Sequence, residues 1–158
     1  MQAGEDRRGP GLRFPPPLLP ALVVGGGWLL DHRWPLPLPI GEAAARGPGI
    51  AVIGLALALA AAALWQFRRA RTHVEPWQPT RSVIQTGLFR YSRNPIYLAF
   101  CIATGGCALL FDNGWILLGL IPLVGLLTLL VIRREERYLE AKFGDDYLAY
   151  KRRVRRWL

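Results

Sequence analysis

Two short stretches hold most of the polar groups able to do chemistry. The first is Arg93-Asn94-Pro95-Ile96-Tyr97, at the start of an uncharged run that lasts to Phe111. The second is Glu135-Glu136, just past another uncharged run, Gly114 to Ile132. Paired carboxylates can hold a cation, or one of them can accept a proton. An arginine grips a carboxylate or phosphate through two parallel hydrogen bonds. Ionisable groups at the edge of hydrocarbon are costly and tend to be functional. Two carboxylates at the C-terminal end of a helix also oppose its dipole, so Glu135 and Glu136 need a reason to be there. A surface ion-pair cluster with Arg133, Arg134 and Arg137 is the plain alternative.

The elements that position these groups follow from hydrophobicity. The chain has 158 residues, 52% of them hydrophobic, and a net charge of +9. The two properties coexist because apolar and basic residues sit in separate blocks. Phe14–Leu30, Gly49–Phe67, Pro95–Phe111 and Gly114–Ile132 carry no charge, and each has a length suited to crossing a bilayer, roughly 17 to 25 residues. The expected fold is therefore an all-α integral membrane domain occupying residues 1–158, with about four transmembrane helices near 16–32, 49–67, 95–111 and 114–132. A signal peptide is the alternative for the first segment, but the sequence after it, DHRWPLPLP, offers no small-residue cleavage site.

Charge orients the bundle. Eighteen of the twenty basic residues lie on one side if both termini and the long loop between the second and third spans are cytoplasmic, as the positive-inside rule requires. If the source is bacterial, the inner membrane is the expected location. The Asp112-Asn113 turn then makes spans three and four a tight hairpin. Its inner ends bring Arg93, Asn94 and Tyr97 towards Glu135 and Glu136. Asn94 suits a helix N-cap and Pro95 a first turn. Arg93, Asn94, Tyr97 and Glu136 are the candidate catalytic residues, with His73 a further possible base. Polar chemistry is concentrated in residues 68–158.

Beyond the hairpin, Leu139 and Phe143 share a helix face, Gly144 breaks it, and Asp145 is suited to cap a second short helix carrying Tyr147, Leu148 and Tyr150. Basic residues interleaved with aromatics read as a helical segment lying on the membrane surface, with a lid over the site as the alternative. Anionic lipid headgroups account for the positive charge, and no nucleic-acid-reading motif is present. No metal site is expected: Cys101 and Cys107 lie inside one span, and His32 and His73 on opposite sides of the membrane. Gly25-Gly26-Gly27 suits close helix packing better than a phosphate cradle. Oligomeric state is not readable.

The two stretches also carry a resemblance. Gly87, Phe89, Tyr91, Arg93, Asn94, Pro95 and Tyr97, followed by Glu135, Glu136, Leu139, Phe143, Gly144, Tyr147 and Tyr150, resemble the two spaced motifs of the isoprenylcysteine carboxyl methyltransferase and phospholipid methyltransferase superfamily of small membrane enzymes. The likeness covers roughly residues 68–158. It implies S-adenosylmethionine as methyl donor. By motif position, Arg81, Ser82, Val83 and Ile84 would line the adenosine side, and Phe89, Asn94, Pro95, Ile96 and Tyr97 would contact the cofactor. Glu135 would meet its amino-acid end, and Glu75 is a looser candidate.

The acceptor implied is lipophilic or small, a carboxylate, amine or thiol, reached from membrane lipid. Many members have His where this chain has Asn94, which cannot titrate near neutral pH and so cannot be a general base. Where the prenylcysteine enzymes place a substrate-binding arginine, this chain has Val131. The rival readings are a non-catalytic four-span scaffold with a lipid-gripping tail and a related membrane reductase using NADPH.

Overall fold

The computed structural model describes residues 14–70 and 83–158. Among these residues there is no strand, and the helices fall into five. Helix α1 spans Leu18–Arg33, α2 Glu42–Arg69, and α3 Pro95–Leu110. Helix α4 runs unbroken from Gly114 to Phe143, and α5 spans Asp145–Arg153. A single 3-10 turn, Gly87–Arg90, precedes α3.

Helices α2 (28 residues, mean hydropathy 2.2) and α4 (30 residues, 2.7) are long and apolar enough to cross a membrane. Only 11% of the apolar window of α2 and 28% of that of α4 is buried within the chain. The core helix of a water-soluble protein would be mostly covered, so these surfaces suit lipid. Helices α1 and α3 have 16 residues each, about 24 Å at 1.5 Å per residue, against a hydrocarbon core of about 30 Å.

Helix α2 outruns its uncharged run at both ends. It starts at Glu42, after Gly41 at φ 75°, and continues through Pro48. It packs along α3, where small residues permit close approach. A Cβ on Gly49 would lie 2.6 Å from the Leu110 backbone nitrogen, and one on Gly106 would lie 2.7 Å from Ile53 Cγ1. Because the obstacle at Gly49 is main chain, Gly49→Ala forces the helices apart. It is expected to cost about 1–3 kcal/mol, read as a lower unfolding temperature in detergent.

Gly27 alone of the triple glycine makes such a crossing, with Ile116 2.6 Å from where its Cβ would be. Gly25 and Gly26 have open space around them. The Asp112-Asn113 turn closes the α3–α4 hairpin, as its length predicts. Asn113 Oδ1 accepts the Ile116 N–H at 2.9 Å and caps α4, while its Nδ2 donates to the Gly27 carbonyl at 3.2 Å. One buried side chain thereby ties the turn to α1.

Two apolar clusters fill the interior. Leu19, Tyr97, Leu123, Leu127, Val131 and Ile132 join α1, α3 and α4. Phe89, Tyr147, Tyr150 and Val154 join the pre-α3 turn to α5 and the tail. Glu135 bonds Tyr97 of the first cluster, and Glu136 lies near Tyr147 of the second. A wide π turn over Leu127–Ile132 leads into them. Such a turn rotates the helix beyond it by roughly one residue, about 100°, and so sets which face of α4 the two glutamates occupy.

Candidate active site

The hairpin delivers the expected meeting of its inner ends. The Tyr97 hydroxyl, on the first turn of α3, donates to Glu135 Oε1 at 2.5 Å. Arg93 Nη2 lies 3.1 Å from Glu136 Oε1. Pro95 is buried at the first position of α3, where its missing N–H costs nothing.

Asn94 does something else. It occupies the N-cap position but makes no side-chain cap bond. Its Nδ2 donates instead to the Arg156 carbonyl at 2.9 Å, and its own N–H donates to Ser92 Oγ at 3.1 Å. Asn94 thus binds the tail, at the Arg156 whose guanidinium holds Glu136. Asp145 likewise does not cap the last helix. Gly144, at φ 52°, holds that place, and Asp145 and Asp146 fall in the first turn, where negative charge suits the helix dipole.

The basic C-terminal segment forms the short helix Asp145–Arg153, and the tail beyond it packs on the site. After α5 the chain turns back across the hairpin ends. The Arg93 N–H donates to the Arg155 carbonyl at 3.1 Å. Arg156 Nε and Nη2 donate to Glu136 Oε1 and Oε2 at 2.9 and 2.8 Å. Val154 joins the aromatic cluster. The Tyr150 hydroxyl donates to the Phe89 carbonyl at 2.7 Å, pinning α5 to the turn before α3. Arg156 and Ser92 escaped notice in the sequence. Nothing in the spacing of a basic tail marks one of its cations as the one turned inward.

The two neighbouring carboxyls are driven apart. Burial pushes Glu135 up to about 7, with the negative charge of Glu136 adding to the rise and the Tyr97 hydrogen bond opposing it. Burial acts on Glu136 in the same sense, but the Arg156 hydrogen bond and the charges of Arg93, Arg156 and Lys151 outweigh it and hold the group below the usual carboxylate range. Both Glu136 oxygens are committed. Glu135 is therefore the carboxyl with capacity to spare, poised to ionise near neutral pH and to do so more readily beside a cation. Burial also raises Tyr147, to about 12, so it stays a neutral hydroxyl.

Of the residues expected to line a cofactor, Phe89 is buried, and Val83 and Ile84 pack against its cluster. Ile96 is half-buried on α3. Arg81, Ser82, Glu75 and His73 lie outside the described residues. Val131 is fully buried in the apolar cluster, which leaves no arginine at that level of α4. No group of three or more His, Cys, Asp or Glu able to hold a metal occurs among the described residues.

Three kinds of group here could hold a nucleoside bearing an amino acid. Glu135 offers a carboxylate to a cation. Arg93 offers two buried N–H groups, on Nε and Nη1, that have no hydrogen-bond partner among the described residues. Phe89, Val83 and Ile84 offer an apolar wall.

Comparison with known proteins gives the family. No solved structure matches the chain. A Haemophilus influenzae protein described only as uncharacterized is 41% identical over 63 residues, which is 40% of this chain and all of that protein. The family model for phospholipid methyltransferases matches residues 45–146, more than half of the chain, taking in most of α2, the α3–α4 hairpin, both glutamates and the start of α5. The chain that joins Tyr97 to Glu135 and Arg93 to Glu136 therefore belongs to the phospholipid methyltransferase family.

Proposed function

We propose that this protein is a membrane-embedded, S-adenosylmethionine-dependent methyltransferase acting on a lipophilic or small acceptor. Four membrane crossings, with both termini and the site on the cytoplasmic side, go with this reading. The observation that carries it is the joint at the inner end of the hairpin, where Tyr97 steadies Glu135 and Arg93, paired with the adjacent Glu136, keeps two unpaired donors.

The cofactor, when bound, supplies a methyl group on a positively charged sulfur. The chain's own residues account for the rest. Glu135 balances positive charge, and Tyr97 fixes which way its carboxylate points. Phe89 with Val83 and Ile84 supplies apolar surface, and Tyr147 and Tyr150 pack against Phe89. Holding acceptor and methyl in line is worth several kcal/mol, up to about 7–11 in well-oriented reactions, and it asks for no covalent intermediate. Leu126 and Leu129 expose apolar surface on α4 before the glutamates, which supports an acceptor arriving from lipid.

Asn94 has no titration to offer. Glu136, charged and doubly bound, serves better to hold the tail than to take a proton. An acceptor that must lose a proton would give it to Glu135 or water, whereas a carboxylate acceptor needs no base.

The test is to measure binding of S-adenosylmethionine to the purified protein in lipid nanodiscs. Methyl-labelled cofactor is then incubated with a membrane extract and the labelled product identified. Saturable binding and a labelled lipid or small molecule are expected. No binding would leave a scaffold, and binding of NADPH instead would leave a reductase.

A further inference from the structure

One carboxylate here serves two guanidiniums. Arg156 takes both oxygens of Glu136, and Arg93 meets only Oε1, through Nη2. The Arg93 side chain is 7% exposed, and its Nε and Nη1 are buried with no hydrogen-bond partner among the described residues. The Tyr147 hydroxyl is within hydrogen-bonding reach of the same guanidinium, while Nε and Nη1 themselves have no partner among the described residues. Burying donors unpaired is unfavourable, and more so on a charged group. Arg93 and Arg156 together also carry one more charge than the Glu136 they share. Both features are relieved by an anion. A free Glu136 would supply one from within, because arginine and carboxylate favour a two-bond pairing. Arg156 prevents this by occupying the carboxylate first.

We infer that Arg93 receives the anionic group of the ligand and that Arg156 is its positioning residue, saturating Glu136 so that Nε and Nη1 of Arg93 stay open. The inference rests on the methyl-donor reading, and the anion is then the amino-acid carboxylate of S-adenosylmethionine. Backbone ties keep the pair in register: the Arg93 N–H to the Arg155 carbonyl, and Asn94 Nδ2 to the Arg156 carbonyl. Arg156 acts through Arg93 and touches no ligand.

The experiment compares the affinity of the full chain in nanodiscs for S-adenosylhomocysteine and for its decarboxylated analogue. The two probes differ only in the carboxylate. The wild type is expected to prefer the acid by about tenfold or more, the worth of a charge-assisted pair. Arg93→Gln abolishes the preference. Arg156→Gln does so as well, because Glu136 then captures Arg93. Arg156→Gln combined with Glu136→Gln restores it, a recovery that a merely structural role cannot produce. Where Arg156→Gln does not fold, Arg156→Lys, which leaves one Glu136 oxygen open, is expected to reduce the ratio. Equal binding of both probes by the wild type overturns the anion assignment and leaves the methyl-donor reading standing. Binding of neither overturns both. An unchanged ratio in the folded Arg156 variant overturns the positioning role.

Discussion

Glu135→Gln is expected to weaken S-adenosylmethionine binding ten- to a hundredfold at pH 8, while raising the unfolding temperature of the ligand-free protein at the same pH. The first effect is the loss of a charged partner, about 1.5–3 kcal/mol for a hydrogen bond to an ionised group. The second is a consequence of linkage. Glu135 has a folded pKa of about 7, above its ordinary 4.5, so folding takes up a proton in that window. The neutral form suits the folded state. The penalty for burying the charge is absent below pH 4.5, grows as pH rises, and is full above about 7. Glutamine keeps an acceptor for Tyr97 and carries no charge, so its stabilising effect fades as pH falls towards 5.

Cofactor affinity of the wild type should run the opposite way, rising from pH 6 to 8 as the carboxylate ionises, and that slope should vanish in the variant. Thermal unfolding and calorimetric binding at three pH values measure both. A variant that binds as tightly as the wild type would remove Glu135 from the site. One that unfolds at a lower temperature at pH 8 would contradict the burial cost.

Glu136→Ala is expected to be the most damaging single change to stability, about 3 kcal/mol. Removing one partner of a buried ion pair leaves uncompensated charge and typically costs about 3–5 kcal/mol. The Arg93 side chain is buried, but that of Arg156 is 33% exposed, which places the estimate at the low end. The pH dependence is opposite to that of Glu135. The folded pKa of Glu136 is depressed, so its contribution is present above the unfolded value of 4.5 and is lost as pH falls through the lower folded value. The pair between Lys151 and Glu140 is the internal control. Both side chains are about one-third exposed, at 35% and 31%, and Glu140→Ala should cost less than about 1 kcal/mol. Denaturation in mild detergent measures both, and equal costs for the two glutamates would contradict the buried clamp.

Much of this architecture is local in origin and could be read from residue order. Four uncharged runs mark the apolar helices because a bilayer admits no charge cheaply. A two-residue turn between two of them forces a hairpin, so Tyr97 and Glu135 had to meet across 38 positions. Pro95 opens α3 because a ring without an N–H is harmless there.

Residue order left undecided the choices between chemically equal candidates. Glu135 and Glu136 are the same residue side by side, and only packing separates them. A π turn sets their faces, two guanidiniums claim one, and burial beside a tyrosine leaves the other near neutrality. Five basic residues end the chain within six positions, and the return of the tail over the hairpin alone selects Arg156. Asn94 has the right type and place for a cap, yet a carbonyl 62 residues away takes its amide. Periodicity and capping act within a turn or two of helix, so sequence order expresses them. Desolvation and ion pairing depend on groups that arrive from far along the chain, and only the folded structure states which ones do.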